Sequence, residues 1–318
     1  MAIEAARRRG SPQARRNLRA ALVFLSPWIV GMLGLWLIPT ALSLYFAFTD
    51  YTGAVWPPHW IGFGNFQAMF DGTDPDFMTT LGVTAWWVFL SVPSALIAGL
   101  LLALLLNWNV RGIAIYRTIF FLPSLVPFVG SALLFVWLLN PQSGLVNVVL
   151  GWLHLPQPGW FSDPAWSRPG LLIQNVWAAG ATIIIFLAGL QDVPEELYEA
   201  ASLDGATRFA RFWHVTLPLI TPTVFFNLIL GMINSFQYFA QAFVVSTVST
   251  AQSSSGAAGE VGGPAGSTLF FSLHIYDQAF QQGNVGYASA LAWVLVIVVV
   301  AITLVLVRTS GRWVHYGG

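Results

Sequence analysis

The chain has 318 residues, of which 56% are hydrophobic and only 8% are charged, and its formal net charge is zero. A soluble domain has about 25% charged residues, so this composition excludes a water-soluble globular protein. The chain has neither cysteine nor lysine. It therefore has no disulfide, no Schiff-base lysine and no Walker A loop, which needs a lysine to reach the phosphates.

Long apolar stretches determine the predicted architecture. A helix needs about 20 apolar residues to cross the hydrocarbon of a bilayer, and six stretches qualify: 22–47, 81–106, 118–139, 170–190, 217–247 and 285–307. The sequence therefore predicts an all-α polytopic membrane protein with six transmembrane helices. The predicted membrane domain covers 21–310, between an Arg-rich tail at 1–20 and a short tail at 311–318.

The arginines predict the orientation of these helices. All thirteen basic residues are arginine, and Arg168 alone lies on one side of the predicted membrane. The other twelve precede the first span, follow the sixth, or lie in the links after the second and fourth. Because arginine and lysine concentrate in cytoplasmic loops, both termini are predicted to be cytoplasmic.

Two further features stand out along the chain. Pro123 and Pro127 lie early in the third span and predict a kink, since proline removes a helical hydrogen bond. The kink either exposes carbonyls to a cavity or serves packing alone, and both readings stay open. The predicted external loop 248–284 begins with a Ser/Gly-rich stretch that is typical of a flexible segment.

A polar segment, 191–217, separates the fourth and fifth spans and is predicted to be cytoplasmic. Pro194 followed by acidic residues is typical of a helix start, because acidic side chains complement the helix dipole there. Gly205 can supply a left-handed turn, and a second helix is predicted from Thr207 to His214. The segment therefore predicts a short helix–turn–helix.

This segment also carries a motif of fixed spacing, from Glu199 to Pro218: Glu-Ala-Ala, three residues, Gly, nine residues, Val, one residue, Leu-Pro. The spacing resembles the EAA signature of permease subunits of ATP-binding-cassette (ABC) importers, with Val in place of Ile. In that family the loop docks onto a separate ATPase, and Leu203 would insert as an apolar knob. The resemblance assigns ATPase coupling to Glu199, Ala200, Ala201, Leu203, Gly205, Leu217 and Pro218.

The resemblance extends to the carbohydrate branch of these permeases, which includes the maltose, lactose, trehalose and glycerol-phosphate systems. It is carried by weaker matching segments: Trp60–Phe66, Tyr116–Pro123, Asn140–Asn147, Trp160–Pro164, Gly262–Pro264 and Gly286–Ala290. It implies the MetI-like permease fold of a type I ABC importer, multi-pass in a bacterial cell membrane.

The resemblance also implies partners. It implies a heterodimer with a second, homologous permease, two copies of an ABC ATPase, and an external solute-binding lipoprotein. ATP and Mg²⁺ would be bound by the ATPase, and this chain would bind no cofactor, no metal and no nucleic acid. Its other contact would be membrane lipid.

Uncharged polar residues within spans indicate a substrate pathway, because such residues are costly in lipid and tend to face a cavity. The resemblance to the maltose-type site adds Ala178 and Ala179. The predicted pathway residues are Asn175, Ala178, Ala179, Thr182, Asn234, Ser235, Gln237, Tyr238 and Gln241. Hydrogen bonding between helices is the alternative role for the polar members.

Other functions are less consistent with the sequence. The five histidines are scattered and none precedes a glutamate, so no zinc-protease motif is present. No clustered catalytic groups are visible, so no enzymatic activity and no catalytic residue are predicted. A permease of the same superfamily for a peptide or an amino acid remains the alternative.

Overall fold

The computed structural model describes residues 12–108, 110–252 and 261–315. In these ranges the chain forms helices and turns without a β-strand, and Thr49 and Trp60 form an isolated antiparallel bridge. Most of the predicted N-terminal tail, the Ser/Gly-rich stretch 253–260 and residues 316–318 lie outside the described ranges.

The apolar helices occur along the chain in the predicted order. Four are long and apolar enough to cross a membrane: Gln13–Phe46, Asp76–Leu106, Thr221–Val248 and Val285–Ser310. Two bent pairs qualify if each pair counts as one span: Ile113–Leu125 with Phe128–Leu138, and Pro164–Trp177 with Gly180–Gln191. The described residues therefore hold four candidate spans, or up to six, at the six predicted places.

The helices in the first half of the chain are α1 (Pro12–Gly31), α2 (Ile38–Phe46), α3 (Gly64–Ala68), α4 (Asp76–Leu106), α5 (Ile113–Phe121), α6 (Phe128–Leu138) and α7 (Leu145–Trp152). A π-helical segment, Met32–Leu37, joins α1 to α2. Helix α1 begins ten residues ahead of the predicted start of the first span, since a helix continues into water beyond its apolar part. Arg15, Arg16 and Arg19 are therefore helical.

The helices in the second half are α8 (Pro164–Trp177), α9 (Gly180–Gln191), α10 (Glu195–Leu203), α11 (Arg208–Arg211), α12 (Leu217–Leu219), α13 (Thr221–Phe236), α14 (Ala240–Gln252), α15 (Phe271–Tyr276) and α16 (Val285–Ser310). Helix α8 begins at a proline and is capped by Asp163, whose carboxylate accepts a hydrogen bond from the backbone N–H of Ala165 at 2.9 Å. The fifth predicted span is interrupted at 237–239, between α13 and α14.

The third predicted span is sharply bent, which confirms the predicted kink. Helix α5 passes into a 3₁₀ turn at Leu122–Leu125, and Val126 and Pro127 are extended. Helix α6 then leaves at 99° to the first part. Pro123 lies in the 3₁₀ turn and Pro127 in the extended break, and neither can donate a backbone hydrogen bond.

The core is organised around α4. The described part of the chain has three apolar clusters, and α4 contributes to each of them: Trp87 to the first, Ala103 to the second and Phe77 to the third. The surrounding faces are apolar and exposed, as expected for surfaces that contact lipid or other helices.

A buried polar cluster fastens the end of α4 that is predicted to be external. One carboxylate oxygen of Asp74 accepts a hydrogen bond from the Tyr287 hydroxyl at 2.6 Å and lies 2.7 Å from Nε2 of His274. The side chains of His274 and Asp74 are only 1% and 7% exposed. The cluster ties the loop before α4 to α15 and α16.

The Asp74 carboxylate is stabilised in its ionised form. Burial acts to raise its pKa, but hydrogen bonds from Tyr287 and His274 outweigh burial, so the pKa lies below the ordinary value of 3.8. A carboxyl group with a lowered folded-state pKa stabilises the fold above its unfolded-state pKa. This contribution is lost as the pH falls through the folded-state pKa.

We predict that Asp74→Asn lowers the free energy of unfolding by about 1–3 kcal/mol at neutral pH, because it weakens a buried, charge-assisted cluster. The difference from the wild type should shrink as the pH falls below 3.8. Thermal unfolding in detergent across a pH series measures both effects. Asp71→Asn is the matched control, since Asp71 is exposed and accepts a hydrogen bond from nearby Thr73. Equal losses in the two variants would contradict the role of the cluster.

Candidate functional site

The motif segment folds as the predicted helix–turn–helix. Helix α10 ends at Leu203, and Gly205 adopts the left-handed conformation at φ +77°. The Thr207 hydroxyl caps α11 by accepting a hydrogen bond from the backbone N–H of Ala210 at 3.2 Å. A π-helical segment, Phe212–Thr216, then leads into α12 and α13.

The tip of this segment presents an apolar side chain outward. Leu203 is 90% exposed and Phe209 is 73% exposed. Glu199 and Ala200 are also exposed, and nothing lies within 4 Å of a Cβ placed on Gly205. An exposed leucine beside an open glycine forms a knob that a partner groove can receive.

The remaining motif residues anchor the segment. Ala201 is half-buried, and Leu217 packs against the second apolar cluster, the one that contains Ala103 of α4. Pro218 lies in the first turn of α12. The motif thus combines an exposed part, around Leu203, with a part that enters the membrane domain.

Two contacts that the sequence did not reveal stiffen the segment. The Tyr198 and Thr216 hydroxyls lie 3.0 Å apart and join α10 to the π-helical segment. Arg211 donates a hydrogen bond to the Ser202 hydroxyl at 2.9 Å. In the sequence, the only indication of the Tyr198–Thr216 contact is that both residues lie within or beside the motif. These ties allow the segment to move as one body.

Three helices meet at Ser91, which is 1% exposed in the middle of α4. Its hydroxyl lies 3.1 Å from the Ser235 hydroxyl on α13, and its carbonyl receives a long hydrogen bond of 3.5 Å from Asn175 on α8. Two predicted pathway residues, Asn175 and Ser235, are therefore brought together by a residue that sequence reasoning missed. The available signal was the pair Ser91 and Ser94 beside Pro93 within an apolar span.

Thr182 lies at a close approach between α9 and α4. A Cβ on Gly99 of α4 would lie 2.7 Å from Cγ2 of Thr182. Ala178 and Ala179 form the break between α8 and α9, where Ala179 is buried. A Cβ on the next residue, Gly180, would lie 3.0 Å from the carbonyl oxygens of Phe120 and Phe121. These residues shape contacts between helices.

The pathway residues predicted in the fifth span differ in their exposure. Tyr238 is 8% exposed, and its ring lies 4.4 Å from Trp87 and 5.2 Å from Phe270, between centroids. Tyr238 therefore packs in the core in this conformation and has no free ring face for a ligand. Asn234 and Gln237 are exposed and Gln241 is half-buried.

The described part of the chain contains no group of three His, Asp or Glu side chains that could hold a metal ion. The absence of a metal site stays a prediction.

A helical membrane domain with bent spans and an exposed helix–turn–helix is typical of an ABC importer permease. Residues 95–314 match the family described as binding-protein-dependent transport system inner membrane component, and the chain belongs to this family. Membership in the permease family, which the EAA spacing predicted, is therefore confirmed.

The chain is also similar to individual members of the family over nearly its whole length. It is 39% identical to the probable ABC transporter permease protein YesP of Bacillus subtilis, covering 96% of this chain and 95% of that protein. It is 32% identical to the sulfoquinovosyl glycerol transport system permease protein SmoG of Agrobacterium fabrum, covering 91% and 89%.

A solved structure has the same fold. A chain of the bacterial alginate ABC transporter, in complex with an alginate pentasaccharide-bound periplasmic protein, superimposes with a TM-score of 0.80 at 26% identity, covering 96% of this chain and 98% of that chain. The predicted MetI-like permease fold is therefore confirmed. The relatives are transport components, consistent with the prediction that this chain is not itself an enzyme.

We predict that Gly99→Ala destabilises the fold by about 1–3 kcal/mol, because the added methyl would overlap Cγ2 of Thr182 in a packed seam. Thermal unfolding in detergent measures the loss. Gly82→Ala, on the same helix and with nothing within 4 Å of the new Cβ, is the matched control. Adding Thr182→Ser, which lacks Cγ2, should restore most of the stability. A Gly99→Ala variant as stable as the Gly82→Ala control would show that the helices do not approach so closely.

Proposed function

We propose that this chain is the membrane-spanning permease subunit of an ATP-driven importer of a saccharide or a polyol derivative, and forms half of the translocation pathway. The observation that carries the proposal is the exposed motif segment around Leu203, in a chain whose family relatives include a sulfoquinovosyl glycerol permease. The alginate transporter of similar fold supports a saccharide substrate.

The proposed assembly contains a second homologous permease, two copies of an ABC ATPase that bind ATP and Mg²⁺, and an external solute-binding lipoprotein. In the proposed topology, six spans cross a bacterial inner membrane with both termini in the cytoplasm. The twelve arginines on one side of these spans support this orientation.

Coupling to the ATPase is proposed to run through the motif segment. Leu203 inserts into a cleft of the ATPase, and Glu199 makes polar contacts beside it. Because the Tyr198–Thr216 contact stiffens the segment, movement of the ATPase passes to Leu217 and on to α13. Such a rigid lever suits alternating access.

We predict that Leu203→Asp abolishes retention of the ATPase while leaving the membrane domain folded, since Leu203 makes almost no contact within this chain. Gly205→Asp should also weaken retention, because it places a negative charge beside Leu203 at the exposed tip. Gly205→Asn is the matched control, since asparagine and aspartate both tolerate φ +77° and only aspartate is charged. The measurement is the amount of ATPase that co-purifies with the tagged chain. Full retention with Leu203→Asp would contradict the docking role.

The proposed pathway passes the polar residues of α13 and the break that follows it. Asn234 and Gln237 are exposed, and their amides can both donate to and accept from sugar hydroxyls. Gln241 belongs to the same set. Asn175 and Ser235 meet at Ser91. Ala178, Ala179 and Thr182 lie where α8 and α9 meet. Tyr238 would reach substrate only in another conformation of the cycle.

We predict that Asn234→Ala lowers saccharide uptake by about tenfold, the effect of losing one or two hydrogen bonds to a substrate, without lowering the yield of the assembled complex. Uptake is measured in cells whose own copy of the chain is replaced by the variant. Gln67→Ala, at an exposed amide outside the spans, is the control. Normal uptake by Asn234→Ala would remove this residue from the pathway. Uptake assays with a dipeptide and with an amino acid test the alternative substrates.

A further inference from the structure

Arg168 stands apart from the other arginines. It is the one arginine on the predicted external side, and its guanidinium carbon lies 4.8 Å from the centroid of the Trp86 ring. The ion pairs found among the described residues involve His59 with Asp50 and His274 with Asp74, so Arg168 has no carboxylate partner there. Asp163, the acidic residue nearest in sequence, caps α8 instead.

Arg168 lies at the contact between α8 and α4, as does the predicted pathway residue Asn175. Arg168 and Asn175 are seven residues apart on α8, which places them on one face about 10 Å apart. Trp86 and Ser91 are five residues apart on α4, or about 7.5 Å. The Arg168–Trp86 contact therefore also joins α8 to α4, nearer to the first residues of both helices than the Asn175–Ser91 contact. In the predicted topology the Arg168–Trp86 contact lies at the external end of the interface between α8 and α4.

The chemistry of this pair suits an anion. A guanidinium group has five N–H donors in a planar fork that matches a carboxylate or a sulfonate. Stacking on Trp86 fixes the plane of the fork without using these donors. A half-buried arginine with no carboxylate partner in the described chain is thus oriented and available to an external anion.

We propose that Arg168, held over Trp86, binds the anionic group of an acidic saccharide as it enters the pathway from the external side. This inference rests on the proposed function, because it names the charge class of the substrate. An anionic lipid headgroup offers the same chemistry to a guanidinium group, so the experiment must separate the two sources.

The test is uptake into proteoliposomes that contain the complete complex with its binding protein. The probes are uronate disaccharides of the galacturonate, glucuronate and mannuronate series, each beside its neutral counterpart. The variants are Arg168→Gln and Arg168→Lys, with Arg19→Gln as the control at an exposed arginine on α1. Each variant is measured in vesicles of phosphatidylcholine alone and of phosphatidylcholine with phosphatidylglycerol.

The expected result is a rise of about tenfold in the KM for the acidic probe with Arg168→Gln, corresponding to one charge-assisted hydrogen bond. Arg168→Lys should give a smaller rise, since it keeps the charge and loses the fork. Neutral probes and Arg19→Gln should stay within twofold of the wild type, in both kinds of vesicle.

Other outcomes would overturn the inference. Equal losses for acidic and neutral probes would show a structural role for Arg168. An effect confined to vesicles with phosphatidylglycerol would assign the arginine to lipid. Wild-type uptake of neutral probes alone would contradict an anionic substrate while leaving the importer function standing. Uptake of no saccharide at all would contradict the proposed function itself.

Discussion

The close packing of neighbouring helices against α4 is the constraint on which the rest of the structure depends. Gly99 lets Thr182 of α9 approach the α4 backbone, and Ser91 contacts α8 through its carbonyl and α13 through its hydroxyl. In a bilayer the hydrophobic effect does not drive helices together, so small residues and polar contacts must do so. The same helix contributes to all three apolar clusters and is fastened at its first turn by Asp74.

Breaks in the helices coincide with residues of the proposed pathway. Ala178 and Ala179 separate α8 from α9, and Gln237 and Tyr238 separate α13 from α14. Unpaired backbone groups are costly in lipid and are tolerated where they contact protein or line a cavity. The broken segments are therefore expected to face the interior of the assembly, which is also where a polar solute must pass. In the stiffened motif segment Leu203 is exposed, and this is where the proposed contact with the ATPase would form.

The sequence predicted the features that local chemistry decides. Apolar runs located the candidate spans, Pro123 and Pro127 located the bend, and Gly205 located the turn of the motif segment. Hydropathy could not give the start of α1, because a helix can continue past its apolar part. Contacts between distant residues were also beyond reach. Asp74 and Tyr287 are 213 residues apart, and the packing of Tyr238 on Trp87 depends on how α13 and α14 lie against α4. Chemistry alone made Tyr238 a candidate pathway residue, whereas the fold buries its ring.

The most direct test of this account is purification of the tagged chain from its native membranes in a mild detergent, followed by mass spectrometry of the proteins that accompany it. The account predicts recovery of a P-loop ATPase, a second permease with its own EAA motif, and a solute-binding lipoprotein. Recovery of the chain alone, under conditions in which a control importer stays assembled, would contradict it.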